Sequence, residues 1–121
     1  VVEQIGFDLV TLIENGEMHS KRMTQLLNDY LLPMVAQDID YLVLGCTHYP
    51  YLIPQIKKII PKNIKIIDSG EAVAKQTKHI LEINQLFNTT KNAKQTFYIN
   101  NPPEVMQELI GDKFKVNYKD F

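Results

Sequence analysis

One stretch constrains the fold of this chain more than any other: Tyr41-Leu42-Val43-Leu44-Gly45-Cys46-Thr47-His48-Tyr49-Pro50. Its first four residues are apolar and read as a buried strand. Gly45 and the single cysteine, Cys46, follow at once, then Thr47 and His48. Tyr49 and Pro50 lead into an apolar-periodic run from Tyr51 to Ile60, with Leu52, Ile53, Ile56, Ile59 and Ile60 on the buried side. The pattern is strand, turn, helix, with Pro50 near the first helical turn, where a missing N–H is harmless. In an open α/β sheet, ligands bind beyond the carboxyl ends of the strands, and Cys46, Thr47 and His48 fall at that edge. On a turn into a helix N-terminus, unpaired backbone N–H groups and the helix dipole favour a thiolate.

The rest of the chain extends the alternation. Phe7 to Ile13 is apolar and β-branched and predicts a strand, ended by the turn residues Glu14-Asn15-Gly16. From about Glu17 to Gln37, the residues Met23, Leu26, Leu27, Tyr30, Leu31, Met34 and Val35 recur at helical spacing, with Pro33 set to kink or split the helix. Ile64 to Ile67 predicts a short strand. Asp68 or Ser69 is placed to cap a helix running to about Phe87, with Val73, Thr77, Ile80, Leu81 and Ile83 facing inward. His19 and His79 are expected on helices, facing solvent. Residues 88–94 are polar and aperiodic and read as a linker. Gln95 to Ile99 predicts a strand, Pro103 to Ile110 a helix stopped by Gly111, and Phe114 to Tyr118 an edge strand. The order is βαβαβαβαβ. It predicts an α/β fold with a mainly parallel sheet and crossover helices.

Composition narrows the function. At 121 residues the chain is one domain's worth or less. Thirteen Lys and Arg against 14 Asp and Glu leave a net charge of −1, and Arg22 is the only arginine, so nothing points to nucleic acid as a partner. A lone Cys excludes an internal disulfide and fits a reducing, cytoplasmic setting. No apolar run approaches a membrane span and no signal-peptide pattern opens the chain, so no membrane partner is expected. Asn88-Thr89-Thr90 has the form of a glycosylation acceptor and is set aside for want of a secretory signal. The chain opens Val1-Val2-Glu3, without Met, and reads as a piece of a longer protein.

Cys46 is open to several chemistries. Cys46 and His48 alone fall short of a zinc ligand set, so no metal is expected. There is no second Cys for a dithiol couple, and no Arg near Cys46 for a cysteine phosphatase. A cysteine hydrolase, a proton-transfer base and an inert buried thiol all remain. Thr47 could be a helix cap and Glu14 a solvated charge, while Asp68 and Ser69 read as caps.

The string Leu44-Gly45-Cys46-Thr47-His48-Tyr49-Pro50 resembles the second-cysteine signature of bacterial glutamate racemases, in the aspartate/glutamate racemase superfamily. Three other stretches are similar to that family in order and spacing: Val10 to Gly16 (its strand ending in a Glu-x-Gly turn), Ile67 to Ala74 (its Asp-Ser-Gly helix start) and Phe97-Tyr98 (its late strand). The resemblance covers nearly the whole chain and is to the family's C-terminal half. It implies a cofactor-independent two-base mechanism, in which cysteines on opposite sides of the substrate α-carbon remove and deliver a proton. Cys46 would be one of them, Thr47 a substrate-binding residue, His48 the residue assisting Cys46, and Glu14 a carboxylate that orients or charges His48.

The resemblance also implies one lobe of a two-lobed racemase in residues 1–87, a linker at 88–94, and a tail at 95–121 that returns to the first lobe. That missing N-terminal lobe would bring the other cysteine. The piece alone is therefore expected to be inactive, and its bare sheet edge to invite homodimer formation or other self-association. The implied product is D-glutamate for peptidoglycan, hence a role in cell-wall biogenesis and cell shape. An aspartate racemase or single-cysteine decarboxylase of the same superfamily, or a non-catalytic α/β binding module, are the alternatives.

Overall fold

The computed structural model describes residues 1–88 and 94–121. Two compact units divide it, Val1–Ser69 and Gly70–Phe121. The first contains helix α1 (Leu9–Glu14), helix α2 (Lys21–Val35), strand β1 (Tyr41–Val43), a 3₁₀ segment (Tyr49–Leu52), helix α3 (Ile53–Ile59) and strand β2 (Lys65–Ile67). The second contains helix α4 (Gly70–Ile83), strand β3 (Phe97–Ile99), helix α5 (Pro103–Ile110) and strand β4 (Val116–Tyr118).

In the first unit β1 and β2 pair in parallel, with Leu42 opposite Ile66 and Val43 opposite Ile67. The ladder runs on at both ends, since Lys65 N–H donates to Asp40 O at 2.9 Å and Leu44 N–H to Ile67 O at 2.8 Å. The connection between the strands carries the 3₁₀ segment and α3, which is the expected helical crossover. Pro50 lies at the start of the 3₁₀ segment and Pro54 at the start of α3, where neither removes a needed donor. Helix α2 packs on α3, and Met23, Leu27, Leu31, Leu42, Leu52 and Ile56 form the buried centre. Ser20 caps α2 by accepting from Met23 N–H at 3.1 Å, so the helix starts four residues later than the apolar spacing implied. Pro33 sits inside α2 without splitting it: the helix continues to Val35, and Ala36 N–H still reaches Leu32 O at 2.9 Å.

The expected first strand, Phe7 to Ile13, is instead α1. Leu9, Leu12 and Ile13 are all buried, and their spacing puts them on one face of a helix but on both faces of a strand. Short apolar runs are ambiguous between the two states, and burial decided here against β-propensity. The Glu14-Asn15-Gly16 turn closes this helix. Gly16 takes φ 73°, Gly16 N–H donates to Ile13 O at 3.0 Å, and Glu17 N–H donates to Leu12 O at 2.8 Å. This is a Schellman cap.

In the second unit β3 and β4 also pair in parallel, Phe97 opposite Val116 and Ile99 opposite Tyr118, with α5 as the crossover. The described residues therefore hold two separate two-stranded parallel sheets rather than one larger sheet. The α/β class with parallel strands and helical crossovers stands. Gln107 ties α5 to β4: its Nε2 donates to Gly111 O at 2.8 Å and Phe114 O at 2.7 Å, and its Oε1 accepts from Val116 N–H at 3.1 Å.

Helix α4 ends at Ile83, short of Phe87, in a second Schellman cap with Gln85 at φ 56° and Leu86 N–H donating to Leu81 O at 2.9 Å. None of its residues is buried. Val73 is 60% exposed, Ile80 43% and Ile83 60%, so the stripe read as inward-facing lies open. An apolar stripe marks a face that seeks a partner; it does not guarantee that the partner lies in the same chain. His79 is exposed on α4, as expected, whereas His19 lies in the turn before α2 rather than on a helix. Residues 89–93, and with them most of the 88–94 linker and the Thr residues of the Asn88 acceptor motif, lie outside the described residues.

Candidate functional site

The chain leaves the sheet at the carboxyl end of β1. Leu44 is still buried and paired to β2, while Gly45 and Cys46 step off the edge. Cys46, Thr47 and His48 form a bend that is closed when Tyr49 N–H donates to Cys46 O at 3.3 Å and Tyr51 N–H to His48 O at 3.2 Å. The bend feeds the 3₁₀ segment, so the helix the sequence predicts from Tyr51 begins as a 3₁₀ turn. The parallel register brings Asp68 and Ser69, at the carboxyl end of β2, out on the same sheet edge.

Four of the residues singled out from sequence come together here. Cys46 is half-buried, and its Sγ lies 3.9 Å from His48 Nδ1. Thr47 Oγ1 lies 3.4 Å from the same nitrogen. His48 Nε2 lies 3.2 Å from Glu14 Oε1. Glu14 arrives from the last turn of α1, where the Gly16 cap fixes the helix end. A carboxylate on Nε2 assigns the proton of the neutral ring to that nitrogen and leaves Nδ1 as the acceptor. Nδ1 is then free to take a hydrogen bond from the Cys46 thiol or the Thr47 hydroxyl. If the ring accepts the thiol proton, the imidazolium sits between a carboxylate and a thiolate, and both favour its charge. The side chains of His48 and Glu14 are 32% and 55% exposed, so their pairing orients the ring more than it stabilises the fold.

Two residues that the sequence did not single out also belong to the site. Tyr49 is half-buried and its phenol donates to Gly6 O at 3.3 Å. Burial pushes the Tyr49 phenol above its ordinary value near 10.0; the nearby Cys46 and Tyr30 push the same way, and the hydrogen bond to Gly6 pulls it back. Gly6 is far from Tyr49 in sequence, and no local pattern announces the contact. An open cleft of about 820 Å³ is lined among others by Gly6, Tyr30, Leu44, Gly45, Cys46 and Tyr49, whereas Glu14, Thr47 and His48 do not line it. It has room for a small molecule. Among the described residues no cluster of three or more His, Cys, Asp or Glu could hold a metal ion.

No protein-family model matches the chain. Individual proteins do. A glutamate racemase of Pseudomonas putida strain F1 is 37% identical over 110 residues, covering 91% of this chain and 42% of that protein. The crystal structure of glutamate racemase isoform RacE1 from Bacillus anthracis superposes with a TM-score of 0.75 at 32% identity, over 93% of this chain and 44% of that one. Glutamate racemase from Francisella tularensis, solved in complex with D-glutamate, superposes with a TM-score of 0.67 at 28% identity, over 90% and 44%.

Over nine tenths of its own length, this chain is similar to glutamate racemases. It spans about two fifths of the length of the curated racemases it matches, and it corresponds to their C-terminal part. The Val10–Gly16 stretch, which the resemblance reads as a strand ending in a Glu-x-Gly turn, is here the end of a helix with the same turn.

Proposed function

We propose that this chain is the C-terminal half of an enzyme that interconverts L- and D-glutamate, and that Cys46 is one of its two acid–base groups. The observation that carries this is the line Glu14–His48–Cys46 at the carboxyl edge of a parallel sheet, in a chain similar to glutamate racemases. For one enantiomer the Cys46 thiolate takes the α-proton, and the C–H bonding electrons move into the α-carbon and carboxylate. A second thiol, from the N-terminal lobe, then delivers its proton to the opposite face. For the other enantiomer Cys46 S–H is the donor. His48 Nδ1 holds or returns the Cys46 proton, and Glu14 keeps the ring in the required tautomer. Thr47 offers its hydroxyl and backbone N–H to the substrate, which helps to stabilise the negative charge that develops. No cofactor or metal enters the proposed reaction.

With a single cysteine, the 121-residue chain has no second acid and is proposed to be inactive alone. The open α4 stripe is consistent with a partner surface in the missing lobe, to which residues 95–121 would return. The full-length enzyme is proposed to act in the cytoplasm, the reducing setting that a lone cysteine fits, and to supply D-glutamate for peptidoglycan.

The test is racemisation followed by optical activity. The full-length protein should invert both glutamate enantiomers and not aspartate, Cys46→Ala should abolish inversion, and the 121-residue chain should show none. Inversion of aspartate alone would keep the family and move the substrate. No inversion of either amino acid by a folded full-length protein would contradict the reading.

A further inference from the structure

Glu14 and Gly6 are the two ends of one short segment, and two consecutive residues of the site turn hold them. His48 Nε2 meets Glu14 Oε1 at 3.2 Å, and Tyr49 Oη donates to Gly6 O at 3.3 Å. Between those ties lie Phe7, then Asp8 in the left-handed region at φ 63°, then α1. Two further contacts fasten the same entry: Tyr30 Oη donates to Phe7 O at 3.2 Å, and Arg22 Nη2 pairs with Asp8 Oδ2 at 3.2 Å.

Helix α1 has six residues, too few to be stable without help from its surroundings. Buried Leu9, Leu12 and Ile13 press it onto the core. Apolar burial is non-directional, however, and leaves a short helix free to shift along or about its axis. Directional bonds at its entry remove that freedom. The fit there is close. An added Cβ on Gly6 would lie 2.6 Å from Tyr49 Oη and 2.7 Å from Leu9 Cδ1, so only glycine lets the backbone approach the phenol this way. The exposed Glu14–His48 pair is too weak to place the helix by itself.

We propose that Tyr49, seated on Gly6, is a positioning residue: it fixes the entry of α1 and so delivers the Glu14 carboxylate to His48 Nε2. The inference rests on the reading of Glu14 and His48 as partners of Cys46. It makes Tyr49 act through the segment 6–14, without touching substrate. Because His48 and Tyr49 are adjacent, any movement of the site turn carries both ends of that segment together, and the relay stays aligned.

The test reads the tautomer of the His48 ring, which a merely structural role would not move. In the 121-residue chain labelled with 15N, long-range proton–nitrogen correlation at pH 8 reports the Nε2–H to Nδ1–H ratio of each histidine, with exposed His79 as an internal reference. Glu14→Ala, which removes the carboxylate, should lower the His48 ratio at least twofold. Tyr49→Phe, which keeps the ring and loses only the hydroxyl, should lower it in the same direction, and so should Gly6→Ala, which pushes on the phenol. Tyr49→Phe added to Glu14→Ala should change nothing further. A His48 ratio that falls in Glu14→Ala but stays at the wild-type value in both Tyr49→Phe and Gly6→Ala overturns the positioning role and leaves the relay intact. A ratio unmoved by Glu14→Ala overturns the Glu14–His48 pairing, and the positioning role with it.

Discussion

Glu14 Oε1 stands 3.2 Å from His48 Nε2, so a carboxylate from the end of the first helix meets an imidazole from the turn after the first strand. Three residue types with distinct proton chemistry are thereby set in line, ending on the Cys46 thiol. The arrangement gives Cys46 a proton acceptor, and the consequence is measurable in this chain without any substrate. His48→Ala should slow alkylation of Cys46 by iodoacetamide at neutral pH by about tenfold, the effect of roughly 1.4 kcal/mol on the proton transfer. Glu14→Ala should slow it by less. An unchanged rate in His48→Ala would remove His48 from the proton path.

Tyr49 should be the tyrosine that resists ionisation. Its folded-state value lies above the ordinary one near 10.0, chiefly through burial. A group raised in the folded state keeps its contribution below the unfolded value and loses it as pH climbs through the folded one. Stability should therefore be unaffected by Tyr49 up to about pH 10 and fall above it, because the phenolate cannot donate to Gly6 and is poorly solvated. Ultraviolet titration at alkaline pH should show one late tyrosine phase, absent in Tyr49→Phe. A late phase that survives the substitution would contradict the assignment.

Asp38 adopts φ 56° on the surface just after α2, a conformation that glycine takes without strain. Asp38→Gly should stabilise the chain by up to about 1 kcal/mol in urea denaturation, the strain relieved outweighing the added freedom of the unfolded chain. A loss of stability would mean that the Asp38 side chain makes a contact worth more than the strain.

Gln107 satisfies two carbonyls and one N–H between α5 and β4. Gln107→Ala should destabilise the second unit by about 1–2 kcal/mol, since partly buried backbone groups lose their partners. Hydrogen exchange should show the loss first at Val116 N–H. Protection at Val116 equal to wild type would show that water replaces the amide at no cost.

The central turn and its neighbours were legible because several local signals agreed there. Apolar Tyr41–Leu44, the Gly45-Cys46 exit and Pro50 at a helical first turn all point one way, and the structure has the strand, the edge turn and the crossover, although the strand expected to be buried hides only Leu42 and Leu44 and leaves Tyr41 and Val43 exposed. Pro103 to Ile110 with Gly111 was equally readable, and α5 has those bounds. Phe7 to Ile13 misled because β-branched residues in a short run favour a strand locally, while the decision lay in which residues the core would bury. The α4 face was read correctly as apolar, but its covering could not be read from its own residues. At the site, Cys46, His48, Thr47 and Glu14 were nameable from the motif and its resemblance. Tyr49 and Gly6 were not, because their contact is made between residues distant in sequence and depends on a backbone approach that leaves no pattern.

The most direct measurement is α-proton exchange by the full-length enzyme in heavy water, followed by NMR from pure L-glutamate and from pure D-glutamate. If Cys46 acts on one face and a second cysteine on the other, as proposed, each inverted product should carry deuterium at the α-carbon, and the Cys46→Ala variant should invert neither enantiomer. Inversion of both enantiomers by Cys46→Ala at the wild-type rate, with the same deuterium content, would contradict the account.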